Sequence, residues 1–217
     1  MIDPYPAVEN KEGEKLVNVK LYVRYMVSLR CKKLVKDELD KLEIKHTISS
    51  HGAIEFFGEV TQTELDTLKV KLQRLGMNLL DVQNSKLIDR IVLTIIDVIH
   101  YFDELPTVNF GEIVNDKLGM INQPVLKIFS EVMGMSVIQF IVIQKIERIK
   151  ELLIYEDLSI SQITNKLNYK SEPLLIAQFK KHTGLTPAHF MKLKEERSKI
   201  ISKSFKKSGG KGSPSLN

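Results

Sequence analysis

The chain of 217 residues has few groups that could do covalent chemistry and many that could hold a polyanion. Its five histidines are scattered, with no H-x-x-x-H or H-E-x-x-H pair, so no zinc site can be drawn. Glycine-rich phosphate loops and a nucleophile elbow are absent. Carboxylates fall mostly on polar helix faces, where solvated i,i+4 pairs are the ordinary role. No catalytic constellation emerges, so an enzyme is not expected and no cofactor is implied. The single cysteine, Cys31, excludes an internal disulfide. Charge is the stronger signal. The net charge of +5 is unevenly spread: residues 171–217 hold 10 Lys and Arg against 3 Asp and Glu, whereas residues 1–170 hold 22 against 24. A basic C-terminal segment suits nucleic acid better than a membrane, because no amphipathic basic anchor accompanies it.

Two sets of elements must carry these groups. Residues 1–15 are polar with two prolines and read as disordered. From 16 to 84 the pattern is mixed. "VKLYVRYM" (19–26) alternates as a strand, and "CKKLVKDELDKL" (31–42) places Leu34, Val35, Leu39 and Leu42 on one helical face. "KHTISS" and "AIEFFGEV" flank His51-Gly52 as a hairpin. Thr63 with Asp66 opens a helix striped by Leu65, Leu68, Leu72 and Leu75, Gly76 stops it, and "NLLDV" returns as a strand. The order β-α-β-β-α-β in about 65 residues predicts a ferredoxin-like split motif.

From 85 to 202 the period is helical. Helices are expected at 86–103, 106–120, about 122–132, Ser136 to about Ile154, after the capping box of Ser159 and Gln162, from Ser171 to Gly184, and after Thr186-Pro187. A pattern occurs twice: "IVNDKLGMINQPVLKIFSEVMGMSVIQF" and "QITNKLNYKSEPLLIAQFKKHTGLTPAHF". Each gives a short helix, a tight turn, a second helix with Phe near its end, Gly, and a capped third helix. Asn168 stands where Gly119 stands in the first copy, and Asn is the side chain that best tolerates φ > 0. Residues 203–217 lose the apolar period and read as a basic disordered tail.

The stretch "LSISQITNKLNYKSEPLLIAQFKKHTGLTPAHF" resembles the AraC-type DNA-binding domain, and the likeness extends over about residues 87–195. The resemblance implies two tandem helix-turn-helix units joined by a long helix, placing two helices in successive major-groove segments of double-stranded DNA. A connector of about 19 residues spans about 28 Å, close to one DNA turn of about 34 Å. In the first unit the family's base-facing positions fall on Gln123, Leu126 and Lys127. Gln and Lys suit adenine and guanine edges. In the second they fall on Glu172, Pro173, Ile176 and Ala177, where the family often carries Ser or Thr followed by Arg. Ile and Ala offer contact with thymine methyls only. Lys180 and Lys181 remain as phosphate contacts, which position without specifying. The expectation is a first unit that reads and a second that anchors. If the second helix is rotated, Leu174 and Ile176 join the core, and the unit becomes a protein-binding surface.

"VRYMVSLRC" followed by a helix resembles the heavy-metal-associated domain, whose pattern is M-x-C-x-x-C. Met26 and Cys31 match, but Ser28 replaces the first cysteine. Soft metals want paired thiolates, so Met26 and Cys31 make at most a vestigial metal site, and none is expected to work. A thiol sensor through Cys31 is the third alternative, since a helix N-terminus lowers a thiol pKa. No apolar run reaches the roughly 18–20 residues of a membrane span, and no signal peptide is seen at the N-terminus. The expected protein is therefore a cytoplasmic transcriptional regulator, possible as a homodimer, with an α+β module before an all-α one.

Overall fold

The computed structural model describes residues 15–49, 51–101 and 123–208. The helix expected at 106–120 lies outside the described residues. By compactness the chain forms two units: residues 1–94 with 114–140, and residues 95–113 with 141–217. The boundary expected near residue 84 falls inside a helix, and each unit is held by its own core.

The first unit opens with β1 (Lys15–Val17), which pairs antiparallel with β5 (Glu59–Thr61), Leu16 opposite Val60. Lys15 is thus the start of a strand rather than the end of a disordered segment. The main sheet has four strands in the order β3-β4-β2-β6, from β2 (Lys20–Arg24), β3 (His46–Ile48), β4 (Ala53–Phe56) and β6 (Asn78–Leu79). All its pairings are antiparallel, with Tyr22 opposite Ala53 and Val23 opposite Leu79. Two helices follow the strands they cross over from: α1 (Leu29–Lys41) and α2 (Gln62–Arg74). Alternation in β2 sorts its side chains. Leu21 and Val23 enter the core with Val35, Leu39, Ile54, Phe56, Leu68 and Leu72, while Tyr22, also buried, lies outside that cluster.

Local chemistry sets the helix starts. Ser28 is the N-cap of α1 and accepts from the Cys31 amide at 3.1 Å. Thr61 and Glu64 form a reciprocal capping box for α2, not the expected Thr63 and Asp66. The reason is β5: Thr61 is its last extended residue, and a capping residue needs that extended backbone. Next comes α3 (Val82–Tyr101), whose first half belongs to this unit. Its buried Ser85 accepts from the Tyr22 amide at 3.1 Å, and its buried Asp89 accepts from the Tyr22 hydroxyl at 2.9 Å and pairs with Lys20. The unit closes with α4 (Gln123–Met133) and the first turn of α5 (Val137–Tyr155), started by a Ser136–Gln139 capping box.

The second unit holds the rest of α3 and α5, then α6 (Ile160–Lys166), α7 (Glu172–Thr183) and α8 (Pro187–Ser208). Val98, Ile146, Ile149, Leu152, Ile163, Leu167, Leu175 and Phe179 make its core. Ser159 and Gln162 form the expected capping box of α6. Ser171 occupies the N-cap of α7 without a side-chain cap bond, and Gly184 ends that helix in the left-handed region. Lys194 of α8 donates to the Ile154 carbonyl at 2.5 Å, binding an acceptor that the end of α5 leaves open. Helix α8 runs to Ser208, past the expected end at Ser202; lysines favour helix locally even where the apolar period has ended. Among the described residues no single helix is long and apolar enough to cross a membrane.

Candidate nucleic-acid interface

Helix α4 sorts its residues cleanly. Val125, Phe129 and Val132 are buried at i, i+4 and i+7, and Phe129 meets Phe140 edge-on at 5.8 Å. Gln123 and Lys127 are exposed, and Leu126 is half-buried beside them. Neither Gln123 nor Lys127 forms an ion pair or side-chain hydrogen bond with another described residue. The structure thus brings the three expected base-facing residues of the first unit onto the N-terminal half of one helix, with two of them open to solvent.

The C-terminal end of α4 is fastened, and sequence reasoning missed how. The Tyr25 amide donates to the Glu131 carbonyl at 2.8 Å. That carbonyl is among the last four of the helix and has no partner within it. The Arg24 guanidinium lies 3.2 Å from the Glu131 carboxylate. A hydrogen bond from the Tyr25 phenol to the same carboxylate, with some burial, raises the phenol pKa. Tyr25 itself has φ 68, an unfavourable region for a bulky residue, and holds it within this clamp. Past the helix, Gly134 has φ 69, and a Cβ there would sit 2.8 Å from a Val27 methyl carbon. Only glycine meets both demands. The one sequence signal was Gly134 itself; nothing local pointed to Arg24 or Tyr25.

The second unit's turn is built around Asn168, whose φ of 48 is the conformation anticipated from its place opposite Gly119. Lys145 of α5 reaches the turn. Its ammonium donates to the Leu167 carbonyl at 2.9 Å and lies 5.0 Å from the centre of the Tyr169 ring. Burial lowers its pKa to about 8 and raises that of the Tyr169 phenol. Tyr169 in turn donates to the Gln178 side chain of α7. Lys145 therefore fixes the turn and is not a surface cation.

On α7, Leu175 and Phe179 are buried, and Phe179 meets Phe190 edge-on at 5.6 Å. Glu172, Pro173, Ala177, Lys180 and Lys181 are exposed. Ile176 is half-buried and packs against the core, so it does not share fully in the outward face expected for it. Leu174 is 51% exposed and lies outside the core. The outward face of α7 thus ends in adjacent cations, Lys180 and Lys181 in its last turn, where they also complement the helix dipole.

Met26 and Cys31 differ in burial. Met26 is buried in the first unit's core, with its methyl near Gly52, while Cys31 is half-buried in the first turn of α1. The Ser28 hydroxyl donates to the Cys31 sulfur at 3.1 Å. No cluster of three or more His, Cys, Asp or Glu with metal-binding geometry occurs among the described residues.

Residues 116–193 match the family model of a helix-turn-helix domain. Solved structures similar to the chain include the C-terminal domain of AraT, a response regulator from Geobacillus stearothermophilus, at 21% identity, covering 50% of this chain and 86% of that one with a TM-score of 0.44. The DNA-binding domain of AdpA in complex with a target DNA is 18% identical, with 51% and 94% covered and a TM-score of 0.42. A DNA-binding transcriptional dual regulator from Escherichia coli K-12 is 17% identical, with 52% and 92% covered and a TM-score of 0.38. No curated protein matches the chain.

Proposed function

We propose that the protein is an AraC-type, sequence-specific, DNA-binding transcriptional regulator. In this reading α4 reads bases through Gln123, Leu126 and Lys127, and α7 mainly anchors to phosphate through Lys180 and Lys181. The observation that carries it is the split of α4: an apolar face sealed by Val125, Phe129 and Val132, and an N-terminal half presenting Gln123 and Lys127 without competing partners among the described residues. An amide and an ammonium offered together fit the acceptor-rich major-groove edges of purines. Glu172, Ile176 and Ala177 add little beyond methyl contact in the second unit. The N-terminal module is a ferredoxin-like βαββαβ sheet, supported by the strand order β3-β4-β2-β6, and its vestigial Met26 and Cys31 take no part. The partner is double-stranded DNA, the compartment the cytoplasm, and two copies bind as a homodimer where the operator is repeated. Selection of bound sequences from a random duplex pool at fixed salt tests this. A consensus should emerge; recovery of unenriched DNA rejects it.

A second reading is favoured by Leu174, more than half exposed on α7 beside Ala177. Here the second unit docks a protein instead of DNA. It requires that Lys180→Ala leave DNA binding unchanged while Leu174→Asp abolishes a protein contact.

A further inference from the structure

A cleft of about 330 Å³ opens in the first unit between α2, β6 and the end of β2. Its size sits at the lower end of small-molecule sites, about 300–1,000 Å³. Its apolar wall includes Leu16, Leu21, Leu65 and Leu80, and its polar residues include Arg24 and Lys69. We propose that this cleft binds a small amphiphilic carboxylate, and that occupancy loosens α4 by drawing Arg24 away from Glu131.

The polar groups decide the sign of the ligand. The two carboxylates on the lining already have partners: Asp81 accepts from the Asn84 amide and side chain at 2.8 and 2.7 Å, and Asp66 accepts from Gln62 at 3.0 Å. The cations are less engaged. Lys69 is exposed and has no ion pair among the described residues. Arg24 forms an ion pair with Glu131, in which neither its buried Nε nor the facing Glu131 Oε2 has a hydrogen-bond partner. Arginine offers five donors in a planar fork that matches a carboxylate. An incoming carboxylate therefore meets an ammonium with no ion pair among the described residues and a guanidinium already in one ion pair, while its tail lies on leucine.

Coupling follows from the same guanidinium. Arg24 lines the cleft and holds α4, so a ligand carboxylate competes with that of Glu131. Exchanging one carboxylate for another keeps the guanidinium in an ion pair. It leaves Glu131, whose side chain is 15% exposed, without its cation. A buried unpaired carboxylate is unfavourable, so Glu131 turns outward. The Tyr25 amide contact to the Glu131 carbonyl is then strained or lost. The last turn of α4 frays, and a recognition helix that is less pre-organised binds more weakly. Only that final consequence rests on the DNA reading.

The test uses the full chain and n-octanoate, with n-octanol and n-octylammonium as controls, titrated calorimetrically without DNA. Octanoate should bind about tenfold tighter than either control. Lys69→Glu, a change on an exposed helix position, should weaken octanoate by at least about tenfold and leave octanol unchanged. Hydrogen exchange should then show the amides of Val132 and Met133 opening about fivefold faster with octanoate. In Glu131→Gln they should already be fast and show no further response. Equal binding of octanol, tighter binding of octylammonium, no binding, or unchanged exchange in α4 each overturns the proposal. None of these readouts involves DNA, so failure of a duplex selection leaves them standing, and their failure leaves the selection standing.

Discussion

Lys127 and Lys180 carry the same charge and are assigned different work. Lys127 lies in the open N-terminal half of α4, whereas Lys180 lies in the last turn of α7 among other cations. Lys127→Ala should lower affinity for the selected duplex by about 1–3 kcal/mol and relax preference at one position, whereas Lys180→Ala should weaken all sequences alike. Gel-shift titrations against selected and scrambled duplexes separate the two; no effect of either change rejects the docking. His51 gives a prediction of another kind. Its ring meets Phe140 edge-on at 5.7 Å. Burial, then the charges of Lys20 and Lys32, lower its pKa below 6.5, with Asp89 opposing them. The unfolded chain therefore binds this proton more readily than the folded one. The contribution of His51 is neutral to stability above pH 6.5 and turns against the fold as pH falls through that value towards the depressed folded pKa. Urea midpoints measured across this window should fall with acid, and less so in His51→Gln.

Elements show which contacts hold the module together. Asp89 is buried on α3, and its carboxylate serves both Tyr22 and Lys20 of β2. Asp89→Ala strands a buried phenol and removes the lysine's partner, so it should destabilise by about 2–4 kcal/mol in denaturant unfolding. Asp89→Asn, which keeps one acceptor, should lose less. Ser85 and Asp89 lie one turn apart on α3, and nothing local in the sequence named β2 as their partner. Helix ends were more legible. The boxes at Ser136 and Ser159 were readable because capping depends on residues three apart. The α2 start shifted from Thr63 to Thr61 because the end of β5, which pairs with β1, decided which threonine stays extended.

At the scale of the molecule the basic excess is the quantity to measure. Residues 171–217 hold 10 Lys and Arg against 3 Asp and Glu, so affinity for duplex DNA should fall steeply with salt. Each phosphate contact adds about 0.9 to the slope of log K against log salt. Replacing Lys203, Lys206 and Lys207 by Gln should flatten that slope by up to about 2.7 if all three meet phosphate. Fluorescence anisotropy over a salt series checks it, and an unchanged slope excludes this segment from the interface.

The sequence by itself determined the helix-turn-helix frame, the left-handed turn at Asn168, the glycine that ends α4 and the charge of the C-terminal segment. Those features follow from backbone dihedrals, caps and composition, which neighbouring residues set among themselves. Tertiary structure decided which polar groups were enclosed. It made Lys145 a turn anchor, drew Ile176 towards the core, buried Met26, and fastened Glu131 to Arg24 and Tyr25. Each of those outcomes depends on segments far apart in sequence meeting at one place. Burial and pairing there belong to the assembled packing, not to any local run of residues.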